Sequence, residues 1–210
     1  MLRVLLAEDE HLIRAALVAL LGTEPDIRVV AETGQGVNVL ALVREHRPDV
    51  AVIDINLLDS DGLDVAAQLH EHCPNCRTLL LTSLDRPGTV RRAMDLGVWG
   101  YLLKGAPPTE LAEAIRKVAT GRRVFDPTLV VDAWQARANP LTLRELEILR
   151  LAAAGWETRT VAERTQLSIG TIRNYLSSAV SKIGARNRLD AVRIARELGW
   201  LSEMSEDTSR

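Results

Sequence analysis

A five-stranded, doubly wound parallel α/β sheet, followed by an all-α four-helix domain, is the architecture this 210-residue sequence predicts. Three observations predict it. Five short runs rich in Leu, Val and Ile recur in the first 120 residues, separated by stretches with apolar residues at helical spacing. Polar or charged residues close those runs at consistent places. Beyond residue 140 the strand-like runs give way to helix caps and amphipathic stripes.

The runs are Val4–Ala7, Ile27–Ala31, Val50–Ile53, Thr78–Leu81 and Gly100–Leu103, each short enough for a buried strand. Between them lie helical stripes such as Leu111, Ile115 and Val118, with charged residues filling the other face. Alternating strands and helices argue for a parallel sheet covered on both faces. Gly121, Pro127 and Asn139-Pro140 then mark a linker with one short helix around Leu129–Ala136. Thr142-Leu143-Arg144-Glu145 is a capping box that opens a helix ending near Gly155. Thr158 is expected to cap a short helix ending about Thr165, Ser168 a third running to Gly184, and a last helix spans Arg188–Leu198. The expected domains are therefore 1–121 and 139–201, with a linker at 122–138 and a polar, disordered tail at 202–210.

Composition excludes several classes. With 47% hydrophobic and 26% charged residues the chain is neither disordered nor fibrous. Its longest apolar run, Ala15–Leu21, falls far short of the roughly 18 residues a membrane span needs. No signal-peptide pattern follows Met1, so a cytoplasmic protein without membrane insertion is expected. The net charge of −2 hides an asymmetry: residues 1–124 carry 14 basic against 17 acidic side chains, residues 139–201 carry 10 against 6. A basic block behind an acidic one suggests a nucleic-acid binder attached to another function. Cys73 and Cys76 form a C-x-x-C, but His70 and His72 at i, i+2 point to different sides, so a loop pair is expected rather than a zinc site. Gly34-Gln35-Gly36 lacks the third glycine of a dinucleotide fingerprint, having Val39 there.

The polar residues that close the runs carry the chemistry. Glu8-Asp9 closes the first run, Asp54 the third, Thr82-Ser83 the fourth and Lys104 the fifth. In a doubly wound sheet the C-terminal strand ends line one crevice, where ligands bind. Singly, each residue reads as a turn acid, a helix cap or a surface charge; their recurrence at successive strand ends argues for a site. Three carboxylates in one crevice repel one another, and a hard divalent cation with a nearby lysine neutralises them. Mg²⁺ suits that set, and the chemistry it supports is phosphoryl transfer. Asp54 would be the nucleophile, Asp9 with Glu8 behind it would hold the metal, and Lys104 and Thr82 would contact the phosphoryl group.

On these residues, with Tyr101 three positions before Lys104 and Gly62 in the loop after Asp54, the chain from residue 2 to about 120 resembles the receiver domains of bacterial two-component response regulators. The resemblance implies a flavodoxin-like fold and Mg²⁺ held by Glu8, Asp9, Asp54 and the Asn56 backbone carbonyl. It also implies Asp54 as phosphoacceptor for a cognate sensor histidine kinase, and Thr82 and Tyr101 as residues that switch with phosphorylation, beside Lys104. Such a domain accepts a phosphoryl group and is not an enzyme, beyond slow self-dephosphorylation. Two positions depart from the family pattern: Leu58 stands in place of a common proline, which makes that loop less pre-set, and Gly105 follows the lysine where proline is frequent. Two other readings stay open, a phosphorylation-independent DNA-binding regulator and a hydrolase with an aspartyl-phosphate intermediate. The helix-turn-helix described next and Asn56, where such a hydrolase would use a second acid, oppose the last.

In the third helix of the second domain, Ile172, Leu176, Ala179, Val180 and Ile183 form a core stripe. The opposite face carries Gly170, Arg173, Asn174, Ser177, Ser181 and Lys182, with no acid from Ile169 to Ile183. A short helix, a tight turn at Leu167-Ser168 and a basic second helix make a helix-turn-helix. Thr171, Arg173 and Asn174 are expected at the DNA groove, with Lys182, Arg186 and Arg188 at phosphates and Ser177 also on the DNA-binding face.

Leu141-Thr142-x-Arg144-Glu145, Gly155, Val161-Ala162, Leu167-Ser168-x-x-Thr171-Ile172-Arg173, Lys182-Ile183 and Asn187-Arg188-x-x-Ala191 resemble the LuxR-type helix-turn-helix of NarL/FixJ response regulators. The resemblance implies double-stranded promoter DNA as partner, a homodimer formed on phosphorylation, and RNA polymerase as a further partner. Leu189 and Val192, off the stripe of the last helix, are the candidate dimer seam there. Leu12 and Leu111, on the first and fifth helices, are the candidate receiver contacts.

Overall fold

The alternation of apolar runs and amphipathic stretches resolves into ten α-helices and five strands in the computed structural model, which describes residues 1–83, 86–136 and 138–201. The first part runs β1 (Leu2–Ala7), α1 (His11–Gly22), β2 (Ile27–Thr33), a 3₁₀ turn (Gly36–Asn38), α2 (Val39–His46), β3 (Val50–Asp54) and α3 (Gly62–His72). It continues with β4 (Arg77–Thr82), α4 (Pro87–Asp95), β5 (Gly100–Leu103) and α5 (Pro108–Ala119). Then follow α6 (Pro127–Gln135), α7 (Leu143–Ala153), α8 (Thr158–Thr165), α9 (Ile169–Ile183) and α10 (Arg188–Glu197).

All strand pairs are parallel, in the order β2-β1-β3-β4-β5. Strand side chains alternate between the two faces. Leu5, Ile53 and Leu80 therefore pack with Val39, Leu69 and Val90 on one side, while Val4, Leu6, Val52 and Leu79 pack with Leu21, Ile115 and Val118 on the other. Every residue of β3 is buried, which is why it reads as a continuous apolar run ending in an acid. The strand order reverses between β1 and β3, and this switch point opens the crevice at their C-terminal ends.

Residues 122–136 do more than link. Val124 forms a parallel bridge to Gly100; its N–H donates to the Trp99 carbonyl at 2.9 Å and its carbonyl accepts from Tyr101 N–H at 2.8 Å. The exposed edge of β5 is thereby paired, which removes a template for unwanted strand addition. α6, capped by the Asp126 side chain on Thr128 N–H, lays the buried Ala133 on the receiver core, and Phe125 and Leu129 pack there too. Tyr101, only 2% exposed, stacks on Phe125 at 6.4 Å between ring centroids.

Helices α7 to α10 enclose a second core. Leu149, Ile183, Ala191, Ala195 and Trp200 form one cluster, and Ile148, Val161, Ala162 and Ile172 a second beneath the helix-turn-helix. The capping box at Thr142 and Glu145 is present in full, and Ser168 accepts from Thr171 N–H as a cap should. Thr158 is not a cap: α8 begins one residue earlier in effect, with Glu157 at the cap position and no side-chain bond. Two expected dimer contacts are also corrected. Leu111 is 4% exposed and Val192 is 8% exposed, each consumed by its own domain's core, whereas Leu12 and Leu189 stand in solvent.

Cys73 and Cys76 are free thiols, and burial pushes the Cys76 thiol up to about 12, which disfavours a thiolate at Cys76. Among the described residues no helix is long and apolar enough to cross a membrane. The expected tail, 202–210, lies outside the described residues.

The edge extension is testable. Val124→Pro removes the N–H that bonds Trp99 and is expected to lower unfolding free energy by about 1–3 kcal/mol, read by urea denaturation. Val124→Ala keeps the N–H and is expected to cost less.

Candidate functional site

The C-terminal ends of β1, β3 and β5 bring Glu8, Asp54 and Lys104 together as the sequence pattern requires. Lys104 Nζ lies 3.0 Å from Asp54 Oδ2 and 2.8 Å from Glu8 Oε2. Glu8 is fully buried and Asp54 is 3% exposed. Asp9, at the rim, has a carboxylate atom within 4.8 Å of the other two acids. Thr82 is buried at the end of β4, where its carbonyl accepts from Lys104 N–H at 2.7 Å. Tyr101 is already turned inward in this state.

Three acids against one lysine leave the crevice overcharged. Burial pushes the Glu8 and Asp54 carboxyls above their ordinary range, and Lys104 pulls them back only in part. Burial disfavours the Lys104 charge, yet the two carboxylates outweigh it and hold that ammonium above the usual lysine range. One oxygen of Asp54, Oδ1, is buried without a hydrogen-bond partner among the described residues. An unpaired buried carboxylate oxygen is costly unless a cation takes it up. The donor set therefore fits a hard divalent ion such as Mg²⁺.

The loop after Asp54 lacks its proline but is fastened by hydrogen bonds instead. Asp59 accepts from Gly36 N–H at 2.8 Å and Val37 N–H at 3.3 Å, and Asp61 caps α3 through Leu63 N–H at 2.9 Å. Gly62 has no room for a side chain: a Cβ would lie 2.1 Å from the Asp54 carbonyl oxygen. Leu58 itself points outward, 57% exposed. Asn56, whose carbonyl is a proposed ligand, bridges to Asp61 within this loop. Sequence reading missed Arg14, which donates to the Glu8 and Asp9 carbonyls and so steadies the acidic pair.

The helix-turn-helix presents a different face. Arg173, Asn174 and Ser177 are exposed along α9, and Arg186 follows it in solvent. Thr171 is half-buried, and its hydroxyl lies 2.8 Å from the Ser168 hydroxyl. Lys182 is engaged elsewhere: it pairs with Glu145 at 2.7 Å, so the expected phosphate contact competes with an internal ion pair. Arg188, at the start of α10, lines a groove with Arg86 of the receiver rather than extending the α9 face.

Glu145 is legible in the sequence only as part of a cap, yet it ties its own helix α7 to α9. Its carboxylate accepts from Thr142 N–H at 2.8 Å, Ser178 Oγ at 2.6 Å and Lys182 Nζ at 2.7 Å. Burial works against its charge, but these bonds outweigh it and hold its pKa down at about 2.

Comparison with known proteins agrees with the two folds. Residues 4–116 match the response regulator receiver domain family, and residues 139–195 match the luxR family of bacterial regulatory proteins. The chain belongs to the NarL/FixJ response regulators, which join a receiver to a LuxR-type DNA-binding domain and regulate transcription. It is 39% identical to the transcriptional regulatory protein DesR of Bacillus subtilis, over 95% of this chain and 99% of that protein. It is 41% identical to the transcriptional regulatory protein YvfU of the same organism, over 96% and 100%. Among solved structures it is similar to the response regulator ChrA of a heme-sensing two-component system, with TM-score 0.55 and 32% identity, covering 95% of this chain and 98% of that one.

The depressed Glu145 pKa makes a pH prediction. A carboxylate held below its unfolded value contributes stability that is present above pH 4.5 and lost as pH falls towards about 2. Glu145→Gln is expected to lower the melting temperature at pH 7 and to flatten its fall across that window, measured by differential scanning calorimetry.

Proposed function

We propose that this chain is a phosphorylation-controlled transcriptional regulator of the cytoplasm. A sensor histidine kinase phosphorylates Asp54, two modified chains dimerise, and the pair binds promoter DNA, with RNA polymerase as the further partner. The receiver comprises residues 1–121, the connection 122–138 and the DNA-binding domain 139–201. One observation carries the reading: a buried aspartate at a strand end with one oxygen on Lys104 and the other without a hydrogen-bond partner among the described residues, beside two more acids. The names of DesR and YvfU, both transcriptional regulatory proteins, support the output.

The residues divide the work as follows. Glu8, Asp9, Asp54 and the Asn56 carbonyl would hold Mg²⁺, which when bound draws off charge from the phosphoryl oxygens. Asp54 donates an oxygen lone pair to phosphorus; a P–O bond forms as the donor's P–N bond breaks, and the departing imidazole retains that electron pair and takes a proton. Lys104, held by Glu8 and Asp54, stabilises charge on the transferred group. The Thr82 hydroxyl at the end of β4 donates a hydrogen bond to the new phosphoryl oxygens, and Tyr101 on the neighbouring strand registers the change against Phe125. Dimerisation, through exposed positions such as Leu12 and Leu189, then raises affinity for paired half-sites through effective concentration.

Intact-mass analysis after incubation with a small acyl phosphate and Mg²⁺ is expected to add one phosphoryl group to wild type and none to Asp54→Ala, with wild type alone shifting to dimer on size-exclusion chromatography. A wild type that gains no phosphate from such donors or from kinases would give the phosphorylation-independent reading precedence. For the output, duplexes selected from a randomised pool should lose about 1–3 kcal/mol of binding to Arg173→Ala, in a base-dependent way. Arg186→Ala should weaken all sequences alike and reduce the salt dependence.

A further inference from the structure

Two residues at the start of α9 do nothing for their own domain. Ile169 and Gly170 are the first positions of the helix after the Ser168 cap. A helix start often packs the residue before its cap against the fourth helical residue. Leu167 and Ile172 hold those positions and both pack in the core beneath the helix-turn-helix, which leaves Ile169 outside it. Ile169 is 41% exposed, on a helix that buries Ile172, Ala179 and Ile183. Gly170 is equally unused by the fold: an added Cβ would meet only the Ser168 hydroxyl, at 3.7 Å. Glycine destabilises a helix relative to alanine, and alanine would fit here.

Both residues stand on the reading face. Positions four apart share a side of a helix. Ile169 therefore lies one turn before Arg173 and two before Ser177, and Gly170 one turn before Asn174, all three of them exposed. Helical side chains lean towards the helix N-terminus, which aims Ile169 past the tip of α9. In a helix-turn-helix that tip meets the base edges. The receiver stays clear of it, contacting α7 through Arg150 on Asp64 at 2.5 Å and α10 through Arg86 on the Arg196 carbonyl at 2.9 Å.

The chemistry of this corner selects one feature of DNA. A branched hydrocarbon forms no hydrogen bond and can tell base edges apart only by apolar contact. In the major groove the apolar group is the C5-methyl of thymine. Gly170 beside it carries no side chain to hold the helix backbone away from the bases. A protein surface is the poorer match: the apolar area is one side chain, set among polar and cationic residues with no acid from Ile169 to Ile183.

We propose that Ile169 is a specificity-determining residue that reads the C5-methyl group of a thymine in the major groove, with Gly170 as the gap that lets it approach. The inference rests on the DNA-binding reading above and adds a base preference to it. Each half-site carries, next to the base that Arg173 hydrogen-bonds, a thymine chosen by its methyl group alone.

The test removes that methyl group from the DNA. Duplexes are selected from a randomised pool by the full chain at low salt, with and without acyl phosphate treatment, in parallel for wild type and Ile169→Ala. Wild type is expected to select a thymine whose preference vanishes in the Ile169→Ala pool, while the preference set by Arg173 persists. Replacing that thymine by uracil should weaken wild type about four-fold by fluorescence anisotropy, the worth of one buried methyl or methylene group. Ile169→Ala should bind both duplexes equally, and Ile169→Val, which keeps the comparison measurable if alanine abolishes binding, should show a smaller difference than wild type. Gly170→Leu should also erase the difference, at an unchanged melting temperature; a full uracil penalty in that variant overturns the part given to Gly170. A uracil penalty as large in Ile169→Ala or Ile169→Val as in wild type, or selected sites without a thymine that depends on residue 169, overturns the assignment and leaves DNA binding standing. A wild type that selects no duplex under either treatment overturns the DNA-binding reading and this inference with it.

Discussion

The receiver depends on Lys104. Three acids converge at the C-terminal ends of parallel strands because the doubly wound topology puts β1 and β3 side by side there. Without a cation, Glu8 and Asp54 at 0% and 3% exposure could not both remain ionised. Lys104 comes from β5, which is not hydrogen-bonded to β3 but separated from it by β4. Its bridge therefore reaches across the crevice and ties the last strand to the first and third. One ammonium is not enough for three carboxylates, and the remaining charge, with an Asp54 oxygen that has no hydrogen-bond partner among the described residues, makes the crevice a receptor for further positive charge.

From that bridge the structure passes outward in two directions. One runs along β5, where Tyr101 sits three residues before Lys104 and stacks on Phe125, whose segment is zipped to the β5 edge through Val124. The other follows the loop after Asp54, fastened by Asp59 and Gly62 and ending on Asp61. Both routes reach α4, the first through α6 packed on it and the second through Arg92. α4 is also where the second domain docks. A change in charge at Asp54 thus has two packed paths to the same helix, which is the physical requirement for a two-state element to respond.

The parts legible in the sequence were those governed by local periodicity. The five strands, the capping box at Thr142 and Glu145 and the α9 stripe follow from spacing alone, and the ends of apolar runs located Asp54 and Lys104 because a buried strand can carry a charge only where it emerges. What failed were judgements about faces. Leu12 and Leu111 lie on α1 and α5, which flank the same face of the sheet, but only the packing of α5 against it reveals that Leu111 is interior. Val192 looked like spare apolar surface because Trp200 and Leu201, beyond the recognised helix stripe, complete the core that buries it. The Arg150 to Asp64 contact spans 86 positions, and no local pattern announces a pair that exists only once both domains are folded.

Charge explains why such a contact forms. Residues 1–124 carry three more acidic than basic side chains, and residues 139–201 four more basic than acidic. The two parts attract each other, over roughly the 8–10 Å range that physiological salt permits, and Arg150 on Asp61 and Asp64 is the point where that attraction becomes contact. DNA is a denser polyanion than the receiver and draws on the same basic domain, but through α9, on a face the docked receiver leaves free. Docking and DNA therefore do not exclude one another at the level of a single domain. What docking does set is the placement of α10, whose Arg196 carbonyl accepts from Arg86 of the receiver.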